Sequence, residues 1–200
     1  MKLRSIFFMT PFLTDRTSKI EPDVLAVLAT LQISENTVRI PTRLTPNLFS
    51  ATSDTLKRLG GTWKGGNTQG HIFEYDPTRL LGQITSIGLL PAKNPFSFYP
   101  SPPIVVERVR EQAAEYLEWV TDVLEPNAGT AALAQIAKEF GISPTCVEYD
   151  PINAAKLESK GYDVIQGDFL QWQSPKLFDL VLMNPPFNVP DIKNCYVEHI

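Results

Sequence analysis

The apolar positions of the chain fall into two regimes. In the first, they recur in short runs broken by Gly and Pro. Val24, Leu25, Val27, Leu28 and Leu31 follow helical spacing and predict a helix over 21–31, with Pro22 suited to its first turn. Val38-Arg39-Ile40 reads as a short strand ended by Pro41. Leu48, Leu56 and Leu59 predict a second helix over 44–59 that stops at Gly60-Gly61. Thr62-Trp63-Lys64 and His71-Ile72-Phe73 flank Gly65-Gly66-Asn67 as a hairpin whose joint is too long for a two-residue turn. Asp76-Pro77 can cap one more helix over 78–84. The pattern predicts a small α+β module spanning residues 1–95. A stretch of prolines and aromatics over 91–103 marks a stiff boundary rather than a flexible linker.

In the second regime, residues 96–200, strand-like runs alternate with helical spacing. Val105, Val109, Ala113, Leu117 and Val120 predict a helix over 103–120. Asp122-Val123-Leu124 reads as a buried strand, followed by the loop Glu125-Pro126-Asn127-Ala128-Gly129-Thr130 and a helix over 131–140. Thr145-Cys146-Val147-Glu148-Tyr149 is a second strand, with Asp150-Pro151 and a helix over 152–160 behind it. Asp163-Val164-Ile165-Gln166 is a third, ending in Gly167-Asp168-Phe169-Leu170. The apolar run over 178–183 is a fourth, read as a buried strand, and it ends at Asn184-Pro185-Pro186-Phe187. Alternating strands and helices predict an α/β, Rossmann-like fold with a parallel sheet.

Composition adds limits. Hydrophobic content of 43% and charged content of 20% are those of a globular protein. Cys146 and Cys195 form no metal or redox spacing, so a reduced, cytoplasmic protein is expected. The start, Met1-Lys2-Leu3-Arg4 and then residues 5–13, faintly resembles a signal peptide, but Thr10-Pro11 breaks it and it reads as an ordinary N-terminus. Residues 1–100 carry 11 basic and 7 acidic side chains, against 7 and 15 in residues 101–200. Arg39, Arg43, Lys57, Arg58 and Lys64, with Trp63 and His71 among them, could track a nucleic-acid backbone. A small core with solvated charges explains them slightly better. With only His71 and His199 in the chain, a His-based hydrolase or His-rich metal site is disfavoured.

The chemistry lies at the strand ends. In open α/β sheets, ligands bind beyond the carboxyl edge of the strands. The small residues of the first loop let a backbone approach a ligand, and the helix behind it offers unpaired N–H groups to a carboxylate or phosphate. The loop is neither a P-loop nor a full G-x-G-x-x-G, since of its glycines only Gly129 is present. Glu148 follows Gly129 by 19 residues, the place of a ribose-binding acid. Asp168 can accept from an adenine amino group, with Phe169 packed beside the ring. At the fourth end, two prolines stop the strand rigidly. The Asn184 oxygen and the Pro185 carbonyl can both accept from one planar NH₂ group while Phe187 stacks on the ring that carries it. Each acid alone is more often a solvated carboxylate or a helix cap; four suitable groups along one edge are harder to explain that way.

Taken together, residues 98–191 resemble the catalytic half of the gamma-class N6-adenine DNA methyltransferases, which use S-adenosyl-L-methionine. Phe98-Tyr99-Pro100-Ser101-Pro102-Pro103 resembles the segment covering the methionine end of the cofactor. The Glu125 to Thr130 loop, the Glu148-Tyr149 turn, the Asp168-Phe169 turn and Asn184 to Phe187 resemble, in order, its loop, ribose, adenine and catalytic motifs. Leu59 to Lys64 with His71-Ile72-Phe73 and Asp76-Pro77 resembles the N-terminal module of phage- and plasmid-borne enzymes of this kind.

The resemblance implies a class I S-adenosyl-L-methionine-dependent methyltransferase fold. It implies Tyr99, Ser101, Pro102, Glu125, Pro126, Asn127, Ala128, Gly129, Thr130, Glu148, Tyr149, Asp168 and Phe169 as cofactor contacts. Asn184, Pro185, Pro186 and Phe187 would act on an adenine flipped out of DNA. A sulfonium methyl needs no metal to activate it, so none is expected, and nothing points to a membrane. Ala131 stands where many members have glycine; it is expected to be tolerated if it already lies in the helix, or else to tighten the pocket. The chain ends in what should be the helix after the fourth strand, before the family's later strands and target-recognition region, so the resemblance implies a fragment, or a split or shortened protein that needs a partner chain or has lost activity. The catalytic tetrapeptide also serves enzymes that methylate guanine N2 in ribosomal RNA or glutamine in proteins, and a non-catalytic cofactor- or DNA-binding fragment is the other reading.

Overall fold

The computed structural model describes residues 17–91 and 100–184. They divide into two units, parting between Pro95 and Phe96.

In the N-terminal unit, β1 (Thr17–Lys19) pairs antiparallel with β6 (Leu89–Pro91). The other strands are β2 (Gln32–Ser34), β3 (Thr37–Arg39), β4 (Thr62–Lys64) and β5 (Gly70–Ile72), in the antiparallel order β2-β3-β5-β4. Three helices accompany them: α1 (Pro22–Leu28), α2 (Pro46–Arg58) and α3 (Thr78–Ile87). All three predicted helices are present, α1 shorter at its end and α3 longer. Strands β1, β2 and β6 were not anticipated, because three-residue strands carry no readable alternation. The turn between β2 and β3 needs a positive φ, supplied by Glu35 at 53°.

The core of this unit gathers Val24, Val27, Leu28, Val38, Leu56, Leu59, Phe73, Tyr75, Leu80, Leu81 and Ile84. Gly61 is fixed by packing: a Cβ there would meet the Phe73 ring at 2.7 Å. The Tyr75 hydroxyl donates to the Leu59 carbonyl at 2.5 Å and ties the end of α2 to the stretch after β5. Trp63 is not a core residue; it stands 38% exposed, edge-on to Phe49 and His71.

His71 is fully buried and shares a 2.9 Å hydrogen bond between Nε2 and the Ser53 hydroxyl of α2. Its Nδ1 has no partner among the described residues. Protonation would place a second N–H where no described residue accepts it.

In the C-terminal unit, α4 (Pro103–Leu117) precedes four parallel strands, β7 (Val123–Glu125), β8 (Thr145–Glu148), β9 (Asp163–Gln166) and β10 (Leu180–Val181). Helix α5 (Ala134–Glu139) joins β7 to β8, and α6 (Pro151–Ser159) joins β8 to β9. The spatial order is β10-β7-β8-β9. The chain therefore winds outward over three strands and returns beside the first, the order of a doubly wound sheet around its switch point. This is the α/β, Rossmann-like architecture expected.

Register puts Leu180, Val123, Glu125, Cys146 and Val164 on one face of the sheet. Ala113 and Leu117 of α4, Ile136 and Ala137 of α5, and Leu157 of α6 pack there. Strand β10 departs from expectation. It is two residues long and Val181 is 45% exposed, so it is not the fully buried strand that its apolar run implied.

Burial, and then the Lys57 charge, lower the pKa of His71 below its ordinary 6.5. A lowered folded-state value means that the unfolded chain takes the proton first. The stability held by neutral His71 is complete above about pH 6.5 and is lost as pH falls through the folded-state value. The urea midpoint of the intact chain, followed through Trp63 with Trp119 and Trp172 replaced by Phe, is expected to fall from about pH 7 to about pH 5. His71→Gln should flatten that dependence.

Candidate functional site

The carboxyl edge of β7, β8, β9 and β10 is stitched together by hydrogen bonds. Ala128 N–H donates to the Val147 carbonyl at 3.1 Å, and Gly129 N–H to Glu148 Oε2 at 2.6 Å. Gly167 N–H donates to the Glu148 carbonyl at 3.0 Å, and Leu182 N–H to the Leu124 carbonyl at 2.9 Å. The edge thus brings together the loop after β7, Glu148, the Gly167-Asp168 turn and Asn184. Tyr99, Pro185, Pro186 and Phe187 lie outside the described residues.

Glu148 is 8% exposed and is already engaged: Oε2 accepts from Gly129 and Oε1 from Asp150 N–H at 2.7 Å. The Tyr149 N–H also pulls on this carboxylate, so three of its four lone-pair sites are engaged by backbone. Burial is the main cause that pushes the Glu148 carboxyl up to about 7, against the pull of the Asp150 and Gly129 hydrogen bonds. Asp150 caps α6, its Oδ1 accepting from Ile152 N–H at 2.8 Å, a role that Asp-Pro at a helix start makes readable.

Glu125 is more deeply held, at 3% exposure, on the helix-covered face. Its Oε2 accepts from Ala134 N–H, the first residue of α5, at 2.7 Å. This corrects two expectations. The helix behind the loop begins at Ala134, three residues later than its pattern implied, and its N-terminal N–H is taken by a carboxylate of the chain rather than left for a ligand. Burial pushes the Glu125 carboxyl up to about 8; the Ala134 and Leu133 N–H groups oppose this and the Glu148 charge adds to it.

Ala131 corrects a third expectation. It does not lie in the helix but holds φ +69°, the left-handed region in which a side chain costs about 1–2 kcal/mol. Its methyl points into an apolar cluster with Ala128, Ala134, Cys146 and Leu157. Gly129 shares the left-handed conformation, at φ +53°, where glycine is free of that cost. The loop turns sharply through these two positions before α5 starts.

Pro126 and Ala128 are buried, Thr130 is exposed, and the buried Asn127 Oδ1 has no partner among the described residues. Asp168 Oδ1 accepts from Leu170 N–H at 3.0 Å and caps the 3₁₀ turn Phe169–Gln171, while its Oδ2 accepts from no described residue. Phe169 is half-buried, its ring 6.3 Å from that of Trp172.

Ser101 stands just before α4, between Pro100 and Pro102. Asn184 Nδ2 donates to Ser101 Oγ at 2.9 Å across 83 residues. No sequence signal pairs these two. Among the described residues, no group of three or more His, Cys, Asp and Glu side chains could hold a metal ion, and no helix is long and apolar enough to cross a membrane.

Two stability outcomes follow. A raised folded-state carboxyl pKa means that stability is complete below the unfolded value near 4.5 and is lost as pH rises through about 8. Glu125→Gln keeps an acceptor for Ala134 N–H and cannot ionise. It is expected to raise the urea midpoint of the intact chain at pH values above about 8 and to leave it nearly unchanged near pH 5. Ala131→Gly relieves a strained φ and loses a buried methyl of similar worth, so its stability should lie within about 1 kcal/mol of the parent. Ala131→Val, β-branched at positive φ, should cost roughly 2–4 kcal/mol on the same denaturation measurement.

No protein-family model matches the chain, and no curated protein matches it significantly. Among solved structures, 7 chains match. One is a Pyrococcus horikoshii protein whose crystal structure is described as that of a candidate RNA methyltransferase. It is 27% identical over 46% of this chain and 50% of that one, with a TM-score of 0.41. The chain thus spans half the length of that protein, and a superposition this loose says nothing about the reaction.

Proposed function

We propose that the chain is the catalytic half of an S-adenosyl-L-methionine-dependent methyltransferase that acts on the exocyclic amino group of adenine in DNA. The observation that carries this reading is the convergence at one carboxyl edge of the first loop, Glu148, Asp168 and Asn184, in the order the motifs have along the chain. The residues present fit the cofactor's chemistry. A buried, unpartnered Asn127 oxygen and the nearby buried carboxyls of Glu125 and Glu148 suit a ligand with a cationic end. The free Asp168 Oδ2 suits an adenine amino group, and the lone pair left on Glu148 suits a ribose hydroxyl. Ser101, Pro102 and the Glu125 to Thr130 loop would hold the methionine end.

When bound, the cofactor supplies a methyl group on sulfonium, electrophilic without further activation. The work left to the chain is on the acceptor. An adenine amino nitrogen is a poor nucleophile because its lone pair is delocalised into the ring. Asn184 Oδ1 and the Pro185 carbonyl would accept from its two N–H bonds, localise the lone pair and aim it, while Phe187 stacks on the base. This is catalysis by positioning and by fixed dipoles. Unstacking the base costs a few kcal/mol, which an aromatic face and two acceptors help to offset.

The test is methyl transfer by the full chain from isotopically labelled cofactor to unmethylated DNA, ribosomal RNA and protein. The expected product is N6-methyladenine in DNA, with kcat lowered about a hundredfold or more by Asn184→Ala. Calorimetry should show cofactor binding weakened by Glu148→Ala and by Asp168→Ala. Label found only in ribosomal RNA or only in protein would move the acceptor to guanine N2 or glutamine. A folded chain that neither binds the cofactor nor transfers methyl overturns the reading.

A further inference from the structure

Asn184 carries a side chain with two unlike ends: an oxygen that accepts and an NH₂ that donates. The proposed chemistry works only with the oxygen turned towards the acceptor amine; the reversed amide would oppose donors to donors. The orientation therefore has to be set by something other than the substrate. The structure offers one partner, since Nδ2 donates to Ser101 Oγ at 2.9 Å and Oδ1 has no partner among the described residues.

A serine hydroxyl alone does not settle the matter. It can accept from Nδ2, or its own proton can be given to Oδ1 after the amide flips, and the two arrangements satisfy the pair equally well. The tie breaks only if the Ser101 proton is spent elsewhere. No described residue accepts it. Ser101 is also rigidly placed. Pro100 and Pro102 flank it, Pro102 holds extended backbone at φ −60° and ψ 147°, and α4 starts at the next residue. Ser101 is half-buried.

We infer that Ser101 is a positioning residue that couples cofactor occupancy to the orientation of Asn184: its O–H is given to an anionic group at the cofactor's amino-acid end, which leaves its oxygen only the role of acceptor for Nδ2 and turns Oδ1 to the acceptor amine. The inference rests on the methyltransferase reading. It assigns to Ser101 a role beyond holding the cofactor, and it makes the acceptor site correctly set only when the cofactor carboxylate is present.

The experiment uses the full ¹⁵N-labelled chain and S-adenosylhomocysteine, with the Asn184 side-chain NH₂ signals assigned through Asn184→Asp. In the parent, the ligand is expected to shift those signals and slow their exchange with water. In Ser101→Ala the ligand should still bind, roughly tenfold more weakly for the lost charge-assisted hydrogen bond, but leave the Asn184 signals where they are without it. Ser101→Thr keeps the hydroxyl and should restore the response. Methyl transfer should follow: kcat down about a hundredfold in Ser101→Ala, recovered in Ser101→Thr.

A parent chain whose Asn184 signals ignore bound S-adenosylhomocysteine overturns the positioning role and leaves the methyltransferase reading intact. An equal response in Ser101→Ala does the same. Failure of the parent to bind S-adenosylhomocysteine at all overturns both. A Ser101→Ala chain too unstable to study still leaves the parent and Ser101→Thr to decide, since loss of the response in the threonine variant counts against the inference.

Discussion

The carboxyl edge of the parallel sheet depends on one side chain, Glu148. Its two oxygens accept from Gly129 N–H at 2.6 Å and Asp150 N–H at 2.7 Å, and its own carbonyl accepts from Gly167 N–H at 3.0 Å. One residue thus joins the loop after β7, the start of α6 and the turn after β9. Hydrogen bonds from backbone N–H groups to a charged acceptor are among the stronger ones available inside a protein. Here they come at the expense of burying a carboxylate, which is why its pKa rises to about 7 although three backbone N–H groups pull it down. The edge is held by an acid whose charge is only partly favoured there.

Glu125 repeats the arrangement one strand away. It lies under the first N–H of α5, deeper and with fewer donors, and its carboxyl rises further, to about 8. Two buried acids with raised pKa values in neighbouring strands are a poor arrangement for stability alone, since each ionisation works against folding. In the proposed reading they belong to the site that takes the cofactor's cationic end. The strained Ala131 belongs to the same trade: the loop turns through a left-handed residue so that its backbone runs close to Val147 and Glu148, and the methyl that suffers the strain fills the core behind it. On the other side of β7, the Ser101 to Asn184 contact brings the stretch before α4 to the end of β10.

The N-terminal unit is governed by packing. Its helices and short strands close over Leu56, Leu59, Phe73 and Tyr75, and a buried His71 is held by Ser53. Several of the basic side chains in this unit have partners within it. Lys57 pairs with Asp54, Arg58 is spent on the Pro91 carbonyl and the Ser18 hydroxyl, and Arg39 on the Thr68 carbonyl.

Local signals carried the identity of the elements. Helical spacing placed α1, α2 and α4; an Asp-Pro step stood before α3 and α6; apolar runs placed β7, β8 and β9; Gly and Pro marked where they stop. These features act over a few residues, so they are legible along a chain. The same holds for the succession of a small-residue loop, an acid, an acid and an amide at four strand ends. What needed the tertiary structure is everything decided through space. Strand order put β10 beside β7, and register put Glu125 beneath α5, where burial decides its protonation. The N–H of Ala134 went to Glu125, which delayed the helix and left Ala131 outside it at positive φ. Ser101 met Asn184 across 83 residues, and Ser53 met His71 across 18. Burial and hydrogen-bond pairing are properties of neighbours in space, and the spacing of residues along the chain carries no record of them.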